Sequence, residues 1–215
     1  MGLSKNSNKT FLNIQGGKII APCQAGTPDS FEKNGKHYVA YDRLEGTIIG
    51  VGTRDREYEG KPYIEQWVDV QDKDGTIYQL QFRTSGGYFR SFVSQLPNVD
   101  VTKPVSFSPA EKEEIKEGAK KKTYTLFLNQ NGKGVGWFFT KDKPNGMPEL
   151  EPIVHKGKTT GYDSEARDKF CLDYVNTTFA ATLMGKGEAA IIHGDSGFPE
   201  DDTDTEFQTT DDLPF

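Results

Sequence analysis

The carboxyl-terminal segment of the chain combines negative charge with apolar side chains. From Asp195 onward it contains eight acidic residues and no Lys or Arg, a composition too charged to bury a core. Pro214 restricts the backbone, Phe215 can fill a pocket, and the carboxylates can pair with Arg or Lys of a partner. The sequence therefore predicts a disordered acidic tail over 195–215 with a protein-binding tip formed by Asp211, Asp212, Leu213, Pro214 and Phe215. The alternative is a tail that only aids solubility.

A second set of residues interleaves cations with flat rings. Binding of a single nucleic-acid strand needs both, because cations follow the phosphates and bases stack on rings whatever their sequence. The residues predicted to bind single-stranded DNA are Arg54, Arg56, Tyr58, Lys61, Tyr63, Trp67, Arg83, Lys120, Lys121 and Lys122. Two alternatives stay open: Trp67 packs beneath a carboxy-terminal helix, or residues 120–122 form an ordinary solvated loop.

Patterns typical of enzymes are incomplete in this chain. Ser196 lies in Gly-Asp-Ser-Gly, the surroundings of a protease nucleophile, but it adjoins the acidic tail and no His partner motif is recognisable. Lys158 and Thr159 follow a Gly as in a phosphate-binding loop, but Pro152 stands where the first Gly of that motif belongs. The three His and two Cys lack metal-ligand spacing. We therefore expect no enzymatic activity, cofactor or metal ion.

Charge is segregated along the chain. The formal net charge is -6, but subtracting the eight acidic residues of the tail from the total of 32 leaves 24 against 26 Lys and Arg, a body of about +2. The mean hydropathy is -0.68, and no apolar run approaches the roughly eighteen residues that span a bilayer. Residues 1–10 are polar, carry no apolar leader segment and are predicted to be mobile. These features predict a cytoplasmic protein.

The elements that must position these residues are mostly strands. A small hairpin is predicted around Gly16 and Gly17, and a loop over 22–36. Alternating or β-branched segments predict strands at 44–53, 63–70, 77–83, 101–107, 123–128 and 135–140. A short helix is predicted before Pro97. The first five of these strands and the helix follow the order strand, strand, strand, helix, strand, strand, which is that of an OB-fold, a five-stranded Greek-key barrel.

The predicted organisation has four parts. Residues 1–36 are an N-terminal extension and 37–141 the OB-fold. Residues 142–194 are a loop and a C-terminal helix at 163–184, whose apolar stripe packs on the barrel or on a second copy of the chain. Residues 195–215 are the tail.

The sequence Asp211-Asp212-Leu213-Pro214-Phe215 resembles the end of bacterial single-stranded DNA-binding proteins, which close with acidic residues followed by Ile-Pro-Phe. The resemblance implies an OB-fold that holds the strand and a tip that recruits replication and repair proteins. The larger body and the absence of a long Gln-, Gly- and Pro-rich linker suggest a phage-encoded relative. We expect binding without sequence specificity in replication, recombination or repair. The alternative is an OB-fold adaptor for protein or glycan.

Overall fold

A computed structural model of the protein describes residues 9–116, 119–155 and 158–185. The fold is mainly β. Its strands are β1 Lys9–Gln15, β2 Lys18–Cys23, β3 Ser30–Lys33, β4 Lys36–Tyr41, β5 Leu44–Tyr58, β6 Lys61–Gln71, β7 Ile77–Arg83, β8 Val105–Lys116, β9 Ala119–Gln130, β10 Lys133–Gly134, β11 Glu151–His155 and β12 Lys158–Asp163. Its α-helices are α1 Gly87–Gln95, α2 Glu165–Asp173 and α3 Ala180–Met184. The predicted tail, 195–215, lies outside the described residues.

Ten strands form one sheet in the order β10-β9-β8-β5-β6-β7-β1-β2-β4-β3, and β11 pairs with β12 separately. The predicted core of the fold is present: β5, β6 and β7 form a meander, α1 follows, β8 returns to β5, and β9 pairs with β8. The predicted barrel, however, is not closed. Within the described ranges the sheet keeps two free ends, and β1 pairs in parallel with β7 at the edge where a barrel would close.

Helix α1 explains why the sheet stays open at β9. The Leu126 amide donates to the Ser91 hydroxyl at 2.7 Å, and the Gln95 amide group donates to the Leu126 carbonyl at 2.8 Å. The Leu128 amide donates to Gln95 Oε1 at 2.9 Å. These side chains give the exposed edge of β9 the hydrogen bonds that another strand would otherwise supply.

The N-terminal region is more ordered than the sequence predicted. The hairpin around Gly16 and Gly17 is confirmed as β1 and β2. The loop predicted over 22–36 is wrong, because this stretch contains β3 and its turn into β4. Asn34 and Gly35 form that turn with φ of 51° and 75°, and Asn-Gly is the dipeptide that best tolerates two positive φ angles in succession.

The C-terminal helix packs on the body of the same chain. Helix α2 continues through a π-helical turn, Tyr174–Phe179, into α3, close to the predicted span of 163–184. Its apolar stripe, Cys171, Val175, Phe179 and Leu183, belongs to the main core. The strand predicted at 135–140 is wrong, since this segment is irregular. Phe139 is nevertheless buried, with its ring edge-on to Phe170 and Tyr174.

Candidate nucleic-acid interface

One face of the sheet, which we call the outer face, carries most of the residues predicted to bind DNA. In the hairpin of β5 and β6, Arg54 lies opposite Glu65, Arg56 opposite Tyr63, and Tyr58 opposite Lys61. In β7, Arg83 lies opposite Glu65 and Gln81 opposite Trp67. Residues directly opposite each other in a ladder point to the same face. The structure therefore brings together Arg54, Arg56, Tyr58, Lys61, Tyr63, Trp67 and Arg83, on the side of the sheet away from the core residues Val68 and Val70.

Arg83 makes contacts with two aromatic rings. Its guanidinium carbon is 4.4 Å from the centroid of the Tyr63 ring and 5.7 Å from that of Tyr58. Both distances are within the range of a cation–π contact. Burial raises the pKa of the Tyr63 hydroxyl, and nearby Glu65 adds to the rise while Arg83 opposes it. Tyr63 therefore stays neutral at physiological pH, and its ring is available for stacking. We call Arg54, Arg56, Tyr58, Tyr63, Glu65 and Arg83 the arginine–tyrosine cluster.

Glu65 is the acidic member of this cluster. Its carboxylate forms an ion pair with Arg54, and Arg56 Nε lies 3.7 Å from Glu65 Oε1. The Glu65 side chain is buried, and those of Arg54 and Arg56 are mostly covered. Three guanidinium groups against one carboxylate leave the cluster with a positive excess. An anion placed here would compete with Glu65 for Arg54 and Arg56.

Trp67 is on the outer face, but it is not an exposed platform. Its side chain is only 7 % exposed, and a Cβ atom added at Gly52 would lie 2.4 Å from Trp67 Cζ2. The indole therefore lies flat against the glycine-containing part of β5. It forms the floor of the outer face, while the half-buried rings of Tyr58 and Tyr63 reach solvent. The alternative that Trp67 packs beneath the C-terminal helix is wrong, since that helix contacts the opposite face, where Asn176 bonds Thr53.

The sequence predicted a loop for Lys120, Lys121 and Lys122. In the structure, these residues lie in strand β9. Lys120 pairs with Glu113 at 2.9 Å and Lys122 with Glu111 at 2.6 Å. The hydrogen bond to Glu111 raises the pKa of Lys122. Alternation puts Lys120 and Lys122 on the side of β9 that carries Leu126, which is buried, so only Lys121 points to the other side. The structure does not bring this run together with the arginine–tyrosine cluster.

A polar network that the sequence did not reveal as a unit lies beside Trp67. Lys9 Nζ is 2.7 Å from Asp69 Oδ2, the Gln79 amide donates to Asp69 Oδ1 at 2.9 Å, and the Gln81 amide donates to Gln79 Oε1 at 3.1 Å. Lys9 was missed because the first ten residues were predicted to be mobile. The alternation of Leu12-Asn13-Ile14-Gln15, which directly follows Lys9-Thr10-Phe11, was the available signal for this strand.

Other predicted features fall outside this interface. The partner-binding tip, Asp211 to Phe215, is not among the described residues. Within the described ranges, no group of three or more His, Cys, Asp or Glu side chains could hold a metal ion. No described helix has the length and apolar character needed to cross a membrane.

Comparisons of this chain with protein-family models, with curated proteins and with solved structures found no match.

Proposed function

We propose that this protein binds single-stranded DNA without sequence specificity on the outer face of β5, β6 and β7. The observation that carries the proposal is the contact of Arg83 with the rings of both Tyr58 and Tyr63, with Arg54 and Arg56 on the same face. Cations and flat rings on one surface are the two components of a single-strand groove. Stacking on aromatic rings does not depend on the identity of the base, which favours sequence-tolerant binding.

The topology supports an OB-type body. The order β5, β6, β7, α1, β8, β9 and the pairing of β8 with β5 are those of a Greek-key barrel that is partly open. OB-folds bind oligonucleotides on the face of their second and third strands and with the loops after the first and fourth strands. In this chain those strands are β6 and β7, and the loop after the first strand is the end of the β5–β6 hairpin, which carries Tyr58 and Lys61.

The cluster suggests a division of labour. Tyr58 and Tyr63 stack on bases, and each stacked base contributes roughly 1 to 3 kcal/mol. Arg54 and Arg56 exchange Glu65 for backbone phosphates as DNA enters. Arg83 contacts both rings and adds a third cation to the surface. Such a surface requires no cofactor, and nothing in this mechanism is enzymatic.

The C-terminal tip has a separate role in the proposal. Its acidic residues and Leu213-Pro214-Phe215 recruit replication, recombination and repair proteins to the bound strand, as the resemblance to bacterial single-stranded DNA-binding proteins implies. Removing Phe215 is expected to abolish such recruitment and to leave the affinity for DNA unchanged. A variant that lost both would contradict the separation of the two roles.

The DNA-binding proposal is tested by fluorescence anisotropy with labelled oligo-dT at low salt. We expect saturable binding that weakens as salt is raised, and that Tyr63→Ala reduces. The matched control is Tyr162→Ala, which removes an exposed tyrosine of β12, outside the ten-stranded sheet. No binding at low salt would overturn the proposal and favour the adaptor function. If Tyr63→Ala and Tyr162→Ala weakened binding equally, the DNA-binding site would not be on the outer face.

A further inference from the structure

The outer face does not end at β7. In the parallel pairing of β1 with β7, Phe11 lies opposite Gln79 and Asn13 opposite Gln81. Asn13 then lies opposite Ile20 of β2, and Ile20 opposite Ala40 of β4. This row continues the row that contains Trp67. The four N-terminal strands therefore extend the same face in one hydrogen-bonded sheet.

The far end of this extension again combines rings and cations. Phe31 of β3 lies opposite Tyr38 of β4, with ring centroids 5.9 Å apart, and Lys33 lies opposite Lys36. Strand alternation puts all four side chains on the outer face. Glu32 lies opposite His37 and points to the other face. We call Phe31, Lys33, Lys36 and Tyr38 the N-terminal patch.

Two features of the patch favour an anionic aromatic ligand. Two lysines lie directly opposite each other and place two positive charges close together on the sheet, where a phosphate can pair with them. Phe31 keeps 38 % of its surface exposed while Tyr38 beneath it is buried, so the exposed ring has a firm support. Tyr38 and Ile20 are buried without belonging to the main core, which shows that the extension packs on its own outer side.

We propose that the N-terminal patch is a second subsite for the same DNA strand, which runs across the sheet from the arginine–tyrosine cluster to β3. The inference rests on the proposed function. From β7 to β3 there are four strand-to-strand steps of about 4.8 Å, so β3 lies roughly 19 Å from β7 across the sheet, and the patch is further displaced from Arg83 along the strands. A short oligonucleotide held by the cluster does not reach it, and a longer one does.

The proposal makes the effect of Phe31→Ala depend on DNA length. Binding of the full chain is measured with oligo-dT of about 4 nucleotides, at the lower end of the site sizes of single OB-folds, and of about 20 nucleotides, beyond their upper end. Phe31→Ala is expected to weaken the longer oligonucleotide at least about fivefold and to leave the shorter one unchanged. Tyr63→Ala is expected to weaken both. Phe138→Ala, which removes a similarly exposed phenylalanine from the irregular segment after β10, is expected to weaken neither.

A second variant tests the cationic half of the patch. Lys33→Glu leaves the Asn34–Gly35 turn intact and is expected to weaken only the longer oligonucleotide, with a larger effect at low salt. Circular dichroism and a urea midpoint equal to that of the unmodified protein verify that each variant folds. If Tyr63→Ala weakens binding while Phe31→Ala and Lys33→Glu do not, or if these two weaken both lengths equally, the subsite is overturned and the proposed function stands. If the unmodified protein binds neither length, both proposals fail.

Discussion

The guanidinium carbon of Arg83 lies 4.4 Å from the centroid of the Tyr63 ring and 5.7 Å from that of Tyr58. Tyr58 is the last residue of β5, Tyr63 is near the start of β6, and Arg83 ends β7. The contact thus joins the tip of the β5–β6 hairpin to the neighbouring strand. Arg83 therefore links the two rings of the hairpin tip to the third strand of the outer face.

Arg83→Lys tests whether the planar group matters beyond its charge. Lysine keeps the positive charge but has no planar group that can stack on the two rings. The binding free energy for oligo-dT is therefore expected to become less favourable by roughly 1 kcal/mol. Fluorescence anisotropy measures the change. Arg43→Lys, at an exposed arginine between β4 and β5, is the control and should have no effect. Equal affinities for Arg83→Lys and the unmodified protein would show that charge alone suffices.

Glu65→Gln tests whether this carboxylate competes with phosphate. The substitution keeps the shape of the side chain and removes the ion pairs with Arg54 and Arg56. We expect tighter binding of oligo-dT and a salt dependence steeper by about 0.7 in log K against log salt for each additional phosphate that the freed arginines neutralise. Affinity measured over a series of KCl concentrations gives both quantities.

Glu57→Gln is the matched control for Glu65→Gln, because Glu57 is an exposed carboxylate on the opposite face of the same hairpin. Glu57→Gln changes the net charge by the same amount as Glu65→Gln, but it should have little effect on the slope of log K against log salt. Weaker binding by Glu65→Gln would mean that the carboxylate positions Arg54 and Arg56 for DNA and does not compete with it.

Gly52→Ala is expected to displace Trp67. The added Cβ would lie 2.4 Å from Cζ2 of the indole, so the ring must tilt out of the sheet floor. The free energy of unfolding should fall by roughly 1 to 3 kcal/mol, measured by urea denaturation. Gly136→Ala, where the nearest atom is 3.8 Å away, is the control. In a Trp67→Leu background, Gly52→Ala should lower the free energy of unfolding by less than it does in the unmodified protein. If the effects of the two substitutions on the free energy of unfolding simply added, the contact between Gly52 and Trp67 would be contradicted.

The centre of the fold could be predicted from the sequence because its signals are local. Alternation in 63–70 and 77–83, together with the Asp74-Gly75 turn, fixes the register of β6 and β7 and hence the common face of Tyr63, Trp67 and Arg83. The apolar spacing at 163–184 likewise indicates a helix. Neither inference needs contacts between distant parts of the chain.

The features that the sequence did not predict depend mostly on pairing between strands that are far apart in the sequence. The partner of β1 is β7, more than sixty residues away, and nothing in residues 9–13 specifies it. The burial of Trp67 follows from the glycines that the bulged register of β5 sets opposite β6. The predicted closure of the barrel failed because side chains of α1 cover the edge of β9. The β3–β4 hairpin is different, since Asn34-Gly35 is a strong local signal from which it could have been predicted.

The thiol of Cys171 is expected to make stability depend on pH. Burial, aided by the neighbouring Asp168, raises its pKa from 9.0 to about 12. The unfolded thiol therefore loses its proton near pH 9 and the folded one only near pH 12, so this group lowers the free energy of unfolding as pH rises above about 9.

Urea midpoints of the unmodified protein and of Cys171→Ala, compared from pH 8 to 10.5, isolate the contribution of the Cys171 thiol, because the other titrating groups are common to both proteins. The difference between the two midpoints should shift in favour of the alanine variant as pH rises. A constant difference would mean that Cys171 is less buried than its surroundings indicate.

Deleting residues 195–215 tests whether the acidic tail competes with DNA. The tail carries eight negative charges and the remainder of the chain is mildly basic, so the tail can occupy the cations of the outer face when no DNA is bound. The deletion is expected to tighten binding of oligo-dT, most strongly at low salt, because screening weakens both interactions. Removing Phe215 alone, which leaves the eight acidic side chains in place, is the control and should not tighten binding. If the affinity for oligo-dT were unchanged or weaker after the deletion, the tail would not compete with DNA, and partner recruitment would be its only proposed role.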